Sequence, residues 1–173
     1  IQSFLLGSMF AYIAASPFIF QSFYGLSAFI FSLCFGANGA ALVIGANIGG
    51  KLPNRQALAI GVFAFVVAAL YTIAVLIIQP YWLFIEIGFF AMLLLMGITF
   101  PAISSLAMES ERQYAGSASA LLGFAPFFLG GVVSPLVGIG NIFYSTSFVI
   151  LICALLALSI YWMIRHKIPT SAE

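Results

Sequence analysis

Charge is what this sequence has least of. Lys and Arg number five and acids four, together 5% of 173 residues; every acid is a glutamate, and the single histidine is His166 in the tail. A soluble domain carries roughly 25% charged residues, and with 64% hydrophobic side chains this chain has no means of covering a soluble surface. Further absences exclude chemistries. Without Asp there is no aspartyl catalysis, and without a histidine inside an apolar run there is no intramembrane Ser/His proteolysis. A net charge of +1 with no basic face rules out electrostatic nucleic-acid binding. The two cysteines, Cys34 and Cys153, both fall inside apolar runs and read as small buried hydrophobes rather than as a disulfide or a metal pair. No phosphate-cradling glycine loop, dinucleotide fingerprint or Cys/His metal spacing occurs. The expectation is a protein that is not an enzyme and carries no cofactor. A secretory leader is not expected either, and the start at Ile1-Gln2-Ser3 without Met suggests a fragment, tag removal or processing.

Long hydrophobic runs are what is present. A membrane-crossing helix needs about 20 apolar residues, and the pattern yields six such spans, at about 3–23, 27–49, 57–79, 82–106, 115–138 and 145–164. Outer-membrane barrels alternate apolar and polar residues, whereas 66–78 is almost unbroken hydrophobe, so the expected class is an all-α membrane protein. Lys51 and Arg55 follow span two, Arg112 follows span four, and Arg165 and Lys167 follow span six, while the other loops have no basic residue. Because cytoplasmic loops hold the Lys/Arg excess, both chain ends are expected in the cytoplasm.

The spans differ. Three and six are the most uniformly apolar, which suits helices facing lipid on most sides; one, two, four and five hold the polar and flexible residues. That order, repeated, suggests a three-plus-three repeat, a plan of many secondary transporters. Ala37, Ala41, Gly45 and Gly49 in span two, and Gly130, Ser134 and Gly138 in span five, form small-residue stripes for close helix packing, either within the bundle or against a second six-helix unit. Buried amides need partners or cavity water. For Asn47 an interhelical hydrogen bond is the preferred reading, and Asn38, nearer mid-span, is the cavity candidate. Glu86, the sole carboxylate within a span, is a proton-binding candidate, although one turn from Trp82 at the outer face the preferred reading is an interfacial group touching water. Ser16-Pro17, Phe100-Pro101, Ala125-Pro126 and Ser134-Pro135 each free a backbone carbonyl, as static kinks or as hinges.

The run Ala115-Gly116-Ser117-Ala118-Ser119-Ala120-Leu121-Leu122-Gly123-Phe124, preceded by Leu106-Ala107-Met108-Glu109, resembles the major facilitator superfamily, and more narrowly its drug/proton antiporters of the bicyclomycin-resistance (Bcr/CflA) type. Phe10-Ala11-Tyr12-Ile13-Ala14-Ala15-Ser16-Pro17-Phe18, then Tyr24-Gly25-Leu26-Ser27 and Phe35-Gly36-Ala37-Asn38, resemble the start of that family's carboxy-terminal half. The resemblance implies spans seven to twelve of a twelve-span transporter in a bacterial inner membrane, with the amino-terminal six-helix half missing. It further implies that spans two and five pack on that half, that spans one and four line the central cavity, and that the main proton-coupling carboxylate lies elsewhere, leaving Glu86 a lesser role. One departure is Gly50-Lys51-Leu52-Pro53-Asn54-Arg55-Gln56, where Asn54 stands in place of the family's gating acid. The function expected is half of a proton-coupled multidrug efflux transporter working by alternating access and conferring drug resistance. Tyr12, Ser16, Asn38 and Thr99 are the expected contacts to a small amphipathic drug-like substrate. The alternatives are another major facilitator solute transporter and a self-contained six-span protein acting as a homodimer.

Overall fold

A computed structural model describes residues 1–110 and 115–166, and all regular structure among them is helical. Helix α1 spans Gln2–Pro17 and continues without a break into a π-helical turn, Phe18–Phe23. There follow α2 (Ala28–Gly49), α3 (Asn54–Ile78), α4 (Trp82–Ser110), α5 (Ala115–Val137) and α6 (Ile142–Ile164). Six helices are long and apolar enough to cross a membrane, as they must be where the solvent offers the backbone no hydrogen bonds and each segment has to satisfy its own.

Local sequence explains the ends. Ser27 caps α2 by accepting from the Ile30 N–H at 3.3 Å, and Asn141 caps α6 by accepting from the Phe143 N–H at 3.0 Å. The Asn141 cap is why α6 starts three residues before the span expected from hydropathy. Immediately before that cap, Gly140 takes a positive φ of 76°. Helix α3 stops at Gln79, which turns left-handed ahead of Pro80. Pro17 has no N–H for the Ile13 carbonyl, and the Ser16 hydroxyl donates to that carbonyl instead, at 3.4 Å; the π-helical turn begins immediately afterwards.

Packing is exchanged between the two helix triplets. Helix α2 rests on α4 and α5 rests on α1; α3 packs on α4 and α6 packs on α1; α3 also meets α6, and α1 meets α4. Swapping α1, α2, α3 for α4, α5, α6 leaves these contacts unchanged, which is the contact pattern of a three-plus-three repeat; α5 departs from it by also touching α6 and α4 more than α2 touches α3 and α1. One end of the bundle is tied by the Tyr24 hydroxyl donating to the Pro80 carbonyl at 2.6 Å and by Phe23 against Phe143. At the other, Leu52, Leu58, Leu106, Tyr161 and Ile164 cluster with Ile1, and Asn54 donates to the Ser105 hydroxyl at 3.0 Å. Lys51, Arg55 and Arg165 therefore share one end, whereas Arg112 and Lys167 lie outside the described residues.

Helices α3 and α6 keep more than half of their apolar length outside the bundle interior, with 44% and 39% buried, and α2 and α5 are less buried still, at 17% and 22%. One expectation needs correction: the stripe of α2, which the resemblance places against a missing half, is turned inward. A Cβ on Gly45 or Gly49 would run into the Leu94 or Ile98 carbonyl of α4, and one on Gly97 into the Leu42 carbonyl of α2. On α5, Gly130 lies under the Phe10 ring of α1, Ser134 donates back to the Gly130 carbonyl at 2.8 Å, and Gly138 falls in the turn after the helix. Gly45→Val should therefore force α2 off α4 and cost about 3 kcal/mol, while Gly39→Ala, with open space at its Cβ, should stay within about 0.5 kcal/mol. Thermal melts of the detergent-solubilised protein, followed by size-exclusion monodispersity, check the contrast.

Candidate functional site

The α2–α4 crossing fixes a polar group inside the bundle. Both helices run from the Tyr24/Pro80 end toward the other, so two to three turns back from Gly45 and Gly97 come Asn38 and Cys34 of α2 and Phe89 and Glu86 of α4. Tyr12 of α1 completes the group. Asn38 is 0% exposed and its Nδ2 donates to the Tyr12 hydroxyl at 2.9 Å; Tyr12 is itself 2% exposed. Glu86 is 8% exposed and interacts with Asn38, Tyr12 and Cys34. Its carboxylate faces the Asn38 amide without a hydrogen bond of good geometry, and Glu86 Oε1, Glu86 Oε2 and Asn38 Oδ1 are all buried with no partner.

Aromatic rings enclose this group. Tyr12 packs on Phe89 at 4.7 Å and on Phe35 at 5.9 Å between centroids, and Phe31 and Phe20 continue the chain of contacts back to Phe89. Phe89 is fully buried, whereas Phe35 is 42% exposed and forms the open edge. Such a setting gives hydrogen-bond acceptors and ring faces but no cation. The described basic residues Lys51, Arg55, Arg165 and His166 are toward the other end of the bundle, where Arg165 lies over the Trp162 ring at 3.7 Å. Among the described residues no three His, Cys, Asp or Glu side chains come together to hold a metal.

The four expected substrate contacts are not all brought together. Tyr12 and Asn38 touch. Ser16, 0% exposed one turn along α1, turns its hydroxyl to the Ile13 carbonyl. Thr99 stands apart: its methyl fills the space over Gly61 of α3, and its hydroxyl donates to the Met96 carbonyl at 2.7 Å. Asn47 does not bond between helices. It is exposed and donates to the Val43 carbonyl of its own helix at 2.8 Å. Nor does Glu86 reach water in this bundle, because α4 is tucked against α1 and α2 even in its second turn and both carboxylate oxygens are covered.

Sequence reading missed Cys34, Phe35 and Phe89 as members of this group. Cys34 is half-buried on the Asn38 face, and Cys153 is buried where α1 and α6 meet at Gly7. Two clefts lie elsewhere: one of about 610 Å³ among Phe18, Ser22, Gln79 and Asn141, and an apolar groove of about 430 Å³ between α5 and α6 lined by Leu129, Leu136 and Phe148. Tyr12→Phe should destabilise the bundle by about 1–3 kcal/mol, because the buried Asn38 amide loses its acceptor. Asn38→Leu added to Tyr12→Phe should recover part of that loss, and a double-mutant cycle on thermal melts checks the coupling.

Comparison with known proteins adds a relative. The chain is 38% identical over 142 residues to the uncharacterized MFS-type transporter YdgK of Bacillus subtilis (strain 168). The match covers 80% of this chain and 35% of that protein, so the chain spans about a third of the relative's length. No family model and no solved structure matches. The chain is thus a six-helix, multi-pass membrane bundle that is similar over most of its length to part of an MFS-type transporter.

Proposed function

We propose that the chain is the carboxy-terminal six-helix half of a major facilitator transporter that exports a small amphipathic compound in exchange for protons. The observation that carries this reading is the buried Tyr12–Asn38–Glu86 group, an uncompensated acid within a membrane bundle, which by default is a functional group rather than a packing element. Rings and a few polar atoms suit an amphipathic solute. Glu86 is then the proton-binding group of this half. An uncovered charge in low dielectric is costly, and binding a proton removes that cost.

The wider setting follows from the same proposal. The amino-terminal half would cover the exposed faces of α2 and α5, where Leu33, Ile44, Phe124 and Phe128 are exposed, and the two halves would rock about the central cavity in alternating access. Helices α1 and α4 would line that cavity. The end holding Lys51, Arg55 and Arg165 would face the cytoplasm of a bacterial inner membrane.

Two measurements test this. The native polypeptide should have about twice the mass of this chain, as two six-helix halves require; a mass equal to this chain would replace the reading with a homodimer. In proteoliposomes of the complete transporter, chloramphenicol or ethidium should dissipate an imposed pH gradient. Asn38→Ala should change the ranking of compounds that do so while the amount of protein in the membrane is unchanged. An identical ranking would remove Asn38 from the substrate site.

A further inference from the structure

Helices α5 and α6 are joined by only the four residues 138–141, yet they part from each other beyond that loop. The apolar groove of about 430 Å³ runs between them. Val133, Val149 and Cys153 form its buried floor, and Val132, Leu136, Phe148 and Ile152 stand partly exposed along its rims. Among the described residues Ser145 brings the one hydroxyl to its walls, and that hydroxyl is bonded to the Ile139 and Asn141 carbonyls. A groove so lined offers an occupant only apolar surface. Its reach is set by the helices. On α6 it runs from Ser145 to Leu156, about 16 Å at the helical rise, which is half of a hydrocarbon core about 30 Å thick. It opens at the Asn141 end of the bundle and stops just past the middle of α6.

We propose that this groove holds one acyl chain of a phospholipid from the leaflet at the Asn141 end, so that lipid fills the gap between α5 and α6. Width decides against a protein helix. Spread over the helical rise, 430 Å³ makes a slot about 5 Å across. A helix with its side chains is about 10 Å across or more and does not enter such a slot, whereas a methylene chain in van der Waals contact is about 4 Å thick. Length agrees, because a chain held by its glycerol at the membrane surface extends through one leaflet, and the groove ends near the midplane. Direction separates the groove from the faces assigned to the other half. Leu129, Val132 and Leu136 lie about a quarter turn around α5 from Phe124 and Phe128, so a partner seated on those two rings leaves the groove to the bilayer. An unfilled slot would deprive Val133, Val149 and Cys153 of neighbours on one side, and a chain lying in it supplies them. No charged side chain lines the groove among the described residues, so the site takes the chain and not the headgroup. This inference needs only the membrane bundle and is independent of the transport reading.

The experiment is photolabelling of the complete polypeptide in phosphatidylcholine nanodiscs doped with a small fraction of the same lipid bearing a diazirine on one acyl chain. The diazirine is placed either beside the ester or at the methyl end, and labelled peptides are mapped by mass spectrometry. The ester-side label should mark α6 around Ser145 and Phe148, and the methyl-end label should mark it around Ile152 and Leu156. Each should exceed labelling of the exposed face of α3 at Val67 and Ile77 by about tenfold, as a bound chain exceeds one in passing contact. Val132→Trp, which puts a ring into the slot, should lower groove labelling about tenfold, while Val67→Trp on α3 should leave it within about twofold. Labelling spread evenly over α3 and α6, or unchanged in Val132→Trp, is contact with bulk lipid and overturns the proposal. A groove that takes neither label is filled by protein, from the rest of the polypeptide or from a second copy, and overturns it as well. The two label positions on the unaltered protein decide the matter even if Val132→Trp does not fold.

Discussion

Everything in this bundle depends on how closely the backbones of α2 and α4 approach. At Gly45, Gly49 and Gly97 the two helices touch with no side chain between them, and in a solvent as apolar as their own side chains such contact supplies the packing that holds them together. Because the helices run in the same direction, that contact also sets a register. It places Asn38 opposite the second turn of α4 and buries Glu86. The site is a consequence of the packing.

Exchange between triplets extends the argument to the whole unit. Each middle helix leaves its own triplet to rest on the leading helix of the other, so neither triplet has a complete interior alone. Helices α1 and α4 are consequently the most enclosed, with half or more of their apolar windows buried, and α2 and α5 the least. This explains why polar groups on α1 and α4 are held in fixed positions while the outer faces of α2 and α5 offer broad apolar surfaces. Tyr12, Ser16 and Glu86 accordingly sit on those two enclosed helices, and Asn38 reaches them from the inward face of α2.

The polar group also differs from a stabilising network. A buried network that serves stability satisfies its members, as the Tyr24–Pro80 and Asn54–Ser105 bonds do at the two ends. The Glu86 carboxylate and the Asn38 carbonyl have no hydrogen-bond partner of good geometry, so this group bears a cost that the bonds at the two ends do not. Asn54 makes the opposite point. Its neutral amide reaches the Ser105 hydroxyl, so that bond is closed within the bundle.

Hydropathy was sufficient to read six membrane helices, the breaks at Pro53 and Pro80 and the two kinds of span, since a lipid-embedded backbone has few alternatives to long apolar helices. The small-residue stripe of α2 was legible as a packing device, and Asn38 as a residue that must be buried. Which neighbour the stripe meets was not legible, because spacing along one helix contains no information about the partner. For the same reason the sequence put Glu86 at the interface by counting from Trp82, kept Thr99 with Asn38, and passed over Cys34, Phe35 and Phe89 as ordinary apolar filling. Composition and periodicity determined that this chain is a bundle of membrane helices. Only the tertiary structure decided that α2 crosses α4 rather than its neighbour α1, and it is that crossing, two backbones meeting at glycine, that gathers Tyr12, Asn38 and Glu86 into one site.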